Sequence, residues 1–265
     1  MQEDLAEVYV LNQAIKIRIK FAKYGTMKFI GHLDIMRFFQ KAIRRADIDI
    51  RYSAGFSPHQ IMSFAAPLGV GIESQGEYLD IEVNSMTTTE DMKNALNRTM
   101  VPGIEIVAVT VLPDTVKNAM ASVAAAAYRI AYKEGSFPIE NMEQKLQEFY
   151  AKEQILVTKE TKKSVLELDL KPGIYELKVI EGNATVCSGG INDSTERNPA
   201  PEIYMLVDAS SSGNIKPTMV LDAFCDYCNV RLEPYSYQVT RIDTYTNLAK
   251  EGKPRKLVPL EAVGV

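Results

Sequence analysis

Strand-like and helix-like segments follow one another in the same order twice in this chain, and that doubled order constrains the fold most. From Ile15 to Phe21 apolar and basic residues alternate, the period-two signature of a half-buried strand. A helix is expected from about Leu33 to Ala46. "IRYS" and "QIMSFAAP" are extended or loop-like, and Gly76–Asn84 alternates as a strand again. "TTTEDMKNALNRTM" sets Thr ahead of acids and spaces Met92, Leu96 and Met100 at i, i+4, i+8, a helix with a good start signal. "GIEIVAVTVLP" closes the set as an apolar strand ended by Pro113. The order is β-α-β-β-α-β, the ferredoxin-like unit.

The second half starts near Ala121. "SVAAAAYRIAYKE" pulls both ways, because alanine favours helix while the Tyr-Arg-Ile-Ala-Tyr alternation favours strand; Tyr128–Lys133 is assigned as strand. A helix with Pro138 near its first turn, two extended runs around "KPG", a strand at "EIYMLVDAS", a helix from Pro217 and a last strand at "PYSYQVTRIDTYT" complete the set. The expected fold class is therefore α+β, two tandem ferredoxin-like (βαββαβ) halves, the second with an extra hairpin. The first half spans 14–113, the second 121–246, and Pro113–Ala121 links them. Residues 247–265, mixing Gly, Pro and basic residues, are expected to form a mobile or loosely docked tail.

A length of 265 residues suits one large domain or two smaller ones, and 46% apolar residues supply a core without metal or disulfide staples. No apolar run is long enough to span a membrane, and the acidic "MQEDLAEVYV" is unlike a signal peptide. Three cysteines make no disulfide framework. These features point to a cytoplasmic protein that does not use a membrane.

Charge is distributed unevenly. From Ile15 to Gln60 there are ten lysines and arginines against three acids, a local charge of +7 in a chain whose total is −4. Such asymmetry can build a local positive field that the total conceals. The same segment holds both histidines, His32 and His59.

On a helical wheel with Arg37 at zero, Lys41, Arg44 and Arg45 fall within an arc of about 100°. Ile35, Met36, Phe38, Phe39, Ala42, Ile43 and Ala46 fill the opposite side. The helix is therefore expected to pack through its apolar face and show Arg37, Lys41, Arg44 and Arg45 outward. That ridge is either a solvated face or a phosphate-binding surface, since guanidinium forks match phosphate oxygens. Only Asp34 offers a same-face partner, to Arg37.

His32 falls on the apolar side at the helix start. It either orders the helix there or serves as an acid/base group beside an anion. Asp34 lies about 160° around the helix from it, so the two make no side-by-side dyad on a regular helix. "YSAGFSPHQ" is a loop in which Gly55 permits positive φ and Ser57 and Pro58 lead to His59; with Asp34 these residues are expected to line the site.

The spacing of Gly69, Gly71 and Gly76 matches no nucleotide-binding fingerprint. Cys225 and Cys228 form a CxxC without the second pair a zinc or iron–sulfur site wants, and read as core or surface residues. The reading includes no metal and no cofactor.

"KFIGHLD", "AIRRA", "YSAGFSPHQ", "SFAAPLGVGIES" and "GEYLDIEV", in that order within Phe21–Val83, resemble the signature of the radical SAM-linked family, a bacterial domain of unknown function. Weaker echoes continue in "TKKSVLELDLKPGIYEL" and "IKPTMVLDAF". Members of that family are C-terminal extensions of radical S-adenosylmethionine proteins or separate proteins encoded beside them, and this chain resembles the stand-alone form. It lacks a CxxxCxxC motif, and Gly31 stands where the family usually has Ser. The resemblance implies a radical SAM protein as partner and names no reaction.

The architecture is also similar to that of CRISPR repeat-processing endoribonucleases, which use a histidine as acid/base without metal; their C-terminal glycine-rich loop has no counterpart in "RLEPYSYQVTRIDTYTNL". Three functions follow as expectations. The first is a non-catalytic accessory protein binding RNA or a ribosome-linked substrate. The others are a metal-independent endoribonuclease using His32 or His59, and a structural interaction module.

Overall fold

The alternation in Ile15–Lys23 (β1) decides how the first half packs. Ile17, Ile19 and Phe21 turn to one side and are buried, while Arg18 and Lys20 turn to the other. In the computed structural model, which describes residues 14–160, 165–182, 200–250 and 252–264, the apolar side of β1 is covered by His32–Arg45 (α1) and Thr89–Asn97 (α2). Met62–Phe64 (β2), Glu73–Val83 (β3) and Ile104–Leu112 (β4) complete this half. Phe39 and Ile43 of α1 and Leu96 of α2 meet Leu79 and Ile81 of β3 in one core.

A short helix, Ala119–Ser122 (α3), leads into Ala125–Tyr132 (β5). Met142–Tyr150 (α4), a hairpin of Leu156–Glu160 (β6) and Val165–Asp169 (β7), Ile174–Ile180 (β8), Glu202–Asp208 (β9), Pro217–Tyr227 (α5) and Tyr237–Asn247 (β10) follow. Leu146 and Phe149 of α4 and Leu221 and Phe224 of α5 pack with Ile130, Met205 and Val207 in a second core. Leu257–Pro259 (β11) ends the strands.

The molecule is mixed α+β, built on one large, mostly antiparallel sheet. Its order is β4-β1-β3-β10-β5-β9-β8, with β2 added to β3 and β11 to β10; β6 and β7 pair separately. One pairing in the large sheet is parallel: Glu73 and Ser74 of β3 lie beside Thr240 and Arg241 of β10. There Gly76 is required, because a Cβ on it would come within 2.7 Å of the Asp243 Cα. Any larger residue would push β3 and β10 apart.

Several expectations need adjustment. β5 begins at Ala125, so the alanine run belongs to the strand, where Ala125, Ala126 and Ala127 are buried. α4 starts at Met142, not near Pro138; Asn141, in left-handed conformation at φ 51°, sets the turn into it. Within Pro113–Ala121, the segment expected to link the halves, Ala119 N–H donates to Asp80 Oδ2 at 2.6 Å.

The tail expected to be mobile or loosely docked pairs with β10 through β11 and buries Leu260 against Ala65, Tyr78 and Ala119. Its composition resembles a linker, but one leucine and one glutamate fasten it. Cys187 and the acidic "MQEDLAEVYV" lie outside the described residues.

Candidate nucleic-acid interface

α1 starts after Gly31, an extended residue without a side-chain cap. Asp34 in the first turn and Arg44 and Arg45 in the last complement the helix dipole. Phe39 packs against Phe21 with the rings tilted and their centres 4.7 Å apart and meets Phe64 edge-on at 5.8 Å, which fixes the rotation of the helix. Arg37, Lys41, Arg44 and Arg45 consequently face solvent.

Their partners differ. Arg37 pairs with Asp34 at 3.2 Å across two exposed side chains. Arg45 donates to Thr99 O at 3.2 Å and lies over the Phe38 ring. Lys41 and Arg44 have no carboxylate partner among the described residues.

The other cations of the segment are largely spent inside. Arg18, fully buried, holds Asp80 with two 2.8 Å hydrogen bonds and donates to Leu260 O at 2.9 Å. Lys20 reaches Asp243 at 2.7 Å and Glu261 at 2.8 Å. Lys28 pairs with Glu73 at 3.1 Å and Lys16 with Asp114 at 3.7 Å. Lys23 donates to Ile30 O, and burial pulls its ammonium pKa below the ordinary value. The local excess of +7 therefore overstates the exposed field, which comes down to the α1 ridge and Arg51.

The two histidines stand apart in role. His32 is the first residue of α1, and its ring meets Phe64 edge-on at 5.1 Å, a packing contact. Because the helix already includes His32, the wheel geometry holds and Asp34 turns to Arg37 instead. His59 Nδ1 lies 2.8 Å from the Ser53 hydroxyl, which also accepts the His59 backbone N–H at 3.1 Å. No hydrogen bond or ring contact joins the two imidazoles among the described residues.

Gly55, Ser57 and Pro58 are exposed at the tip of the loop carrying His59, with Phe56 standing out between them. Phe56, Tyr52 and Arg51, all exposed, are not among the site residues expected from the sequence. The available signal was an aromatic ring set between Gly and Ser-Pro, where no strand or helix period would bury it.

Behind β1, on the face away from α1, Tyr78 donates its hydroxyl toward Asp243 at 2.6 Å and is also bonded to Glu261. Burial, then the charges and hydrogen bonds of Asp243 and Glu261, hold the Tyr78 pKa far above that of a free tyrosine. With Lys20 completing the set, this is a satisfied structural network joining both halves and the tail.

A cleft of about 890 Å³ lies in the second half between α5 and β6 and mixes Lys152 and Lys216 with Asp222 and Asp226. Burial and then the nearby Asp226 charge raise the Asp222 pKa. Cys225 is buried, and burial, then Asp222, Cys228 and Asp226, push its thiol up to about 12, which leaves it protonated and unreactive near neutral pH. No group of three or more His, Cys, Asp or Glu placed to hold a metal occurs among the described residues, and no helix there is long and apolar enough to cross a membrane.

A family described as "Uncharacterized protein conserved in bacteria (DUF2344)" matches residues 16–217. None of the curated proteins compared with it matches the chain. The matched stretch runs from β1 to the first residue of α5 and includes the ridge, both histidines and the loop between them and β2. Since it covers well over half of the 265 residues, the chain belongs to this bacterial family.

Proposed function

We propose that the chain is a cytoplasmic, non-catalytic accessory protein of a radical SAM enzyme, holding RNA or a ribosome-linked substrate by its phosphates on Arg37, Lys41, Arg44 and Arg45. One observation carries this reading. Lys41 and Arg44 are exposed and without acid partners among the described residues, while Lys16, Arg18, Lys20 and Lys28 of the same segment are each paired with an acid. Cations left unpaired on one rigid helix face suit a polyanion, and each phosphate they neutralise releases counterions.

The radical SAM partner rests on the resemblance of Phe21–Val83 to that family. The scaffold reads as two ferredoxin-like halves. The strand orders β4-β1-β3-β2 and β10-β5-β9-β8, each with two helices packed in its own core, support it, with the β6–β7 hairpin inserted in the second.

Lys41→Glu with Arg44→Glu tests the ridge by fluorescence anisotropy on RNA. Affinity is expected to fall at least ~10-fold from the loss of two phosphate contacts. Unchanged affinity would reduce the ridge to a solvated face.

The Ser53–His59 pair favours a second reading, a metal-independent endoribonuclease with His59 as acid/base. Cleavage of RNA in EDTA that His59→Ala abolishes would establish it, and intact RNA would exclude it.

A further inference from the structure

The stretch from Arg51 to Ile61 leaves the sheet edge as a narrow finger. Ile61 N–H donates to Arg51 O at 2.9 Å and Ser53 N–H to His59 O at 2.8 Å, with Tyr52 and Gln60 paired between them. The stem is anchored twice. Arg51 N–H donates to Glu82 O of β3 at 2.8 Å, and Gln60 Nε2 donates to Gln40 O of α1 at 3.2 Å. At the tip Gly55, at φ 113°, makes the turn that only glycine adopts freely, and Phe56 is 111% exposed.

A single exposed apolar residue is ordinary on a protein surface. The setting of this one is not. Tyr52 is exposed on the same stem, and Arg51 at its root has no ion-pair partner among the described residues. Gln40, where the finger is anchored, lies on α1 about 60° from Arg37 and 40° from Arg44. The root of this aromatic-bearing finger is thus fastened to the helix that carries the unpaired cations.

We infer that this finger is a base-stacking element and that the RNA held by the ridge is single-stranded. Phe56, supported by Tyr52, stacks on unpaired bases while Arg44, Lys41 and Arg51 take the phosphates. The inference rests on the RNA-binding reading above and names the class of RNA. Within a duplex the base faces are already stacked on one another, so a projecting ring finds a free face only where bases are splayed out. An apolar pocket of a protein partner would cover the ring equally well, but would bring Lys41, Arg44 and Arg51 against its surface; a polyanion satisfies ring and cations together.

The chain contains no tryptophan, so Phe56→Trp places one reporter at the tip. The probe is a fluorescein-labelled oligoadenylate, single-stranded or annealed to oligouridylate, titrated with the full chain; an unlabelled copy is used for tryptophan emission. The expected result is tight binding of the single strand over the duplex, quenching of the Phe56→Trp emission by it, and a loss of about tenfold or more in Phe56→Ala with an unchanged salt slope.

If Phe56→Ala binds normally and the tryptophan is unquenched, while Lys41→Glu with Arg44→Glu loses binding, the finger inference fails and the ridge reading stands. Equal affinity for duplex also overturns it. Failure of the wild-type chain to bind either oligomer overturns both. A tryptophan blue-shifted by anionic phosphatidylglycerol vesicles and silent to RNA would make the finger a membrane-docking element and overturn the inference.

Discussion

Two sets of cations, 21 to 26 positions apart in sequence, lie on opposite sides of the same core. Arg18 and Lys20, behind β1, are buried and bound to Asp80, Asp243 and Glu261. Lys41 and Arg44, on the outer face of α1, stand in solvent with no acid beside them among the described residues. A charge taken out of water is tolerated only when paired and hydrogen-bonded, so the inner set is committed to the fold. The outer set contributes little to the fold, which leaves it free to meet something else.

That comparison breaks most readily at Arg18. Arg18→Met leaves Asp80 buried beside two unfilled carbonyls, and is expected to cost roughly 3–5 kcal/mol in urea denaturation. Adding Asp80→Leu should recover only part of it, because Asp80 also accepts the Ala119 N–H. A loss no larger than that of a surface charge would mean the inner pairs are not structural.

Lys20→Met comes next, at about 1.5–3 kcal/mol, the worth of a hydrogen bond to a charged group. A pH signature accompanies it. Burial alone would lower the Lys20 pKa, but the hydrogen bonds and charges of Asp243 and Glu261 outweigh it and raise it above the ordinary 10.5. The folded state then holds a proton that the unfolded state loses, so the contribution is complete below pH 10.5 and disappears as pH rises through the folded value.

Tyr78 acts in the same direction, since its hydroxyl stays protonated in the fold when an unfolded tyrosine would ionise. Stability of the wild-type chain should therefore fall in the alkaline range, with a shallower fall in Lys20→Met. Parallel curves would show that Lys20 is not linked to folding.

The smallest expected change in stability sharpens the comparison from the other side. Lys41→Glu with Arg44→Glu should cost no more than about 1 kcal/mol by the same denaturation measurement, the part Arg44 contributes at the negative end of the helix dipole, whatever it does to RNA affinity. A larger loss would mean that the ridge also serves the fold.

Much of the fold was legible because burial imposes a period. β1, α1, β3, α2 and α5 each carry it, and the rotation of α1 follows from its apolar stripe. What was not legible depends on partners remote in sequence. Arg18 meets Asp80 across 62 positions and Lys20 meets Asp243 across 223, so counting charges along the segment could not separate paired cations from free ones.

The same holds for the tail, where "KEGKPRK" resembles a linker until Leu260 and Glu261 find Tyr78 and Lys20. The parallel contact of β3 with β10 had no local signal beyond Gly76. At the candidate site the outward ridge is legible from the apolar stripe of α1, whereas the exposure of Phe56 is marked only by its place between Gly55 and Ser57-Pro58.

The central claim is that the outward cations of α1 bind RNA phosphates, and salt tests it most directly. Log affinity for a single-stranded RNA should fall linearly with log salt in the wild-type chain. In Lys41→Glu with Arg44→Glu the slope should be smaller by about two phosphate contacts' worth. The same slope and the same affinity in both proteins would contradict the account.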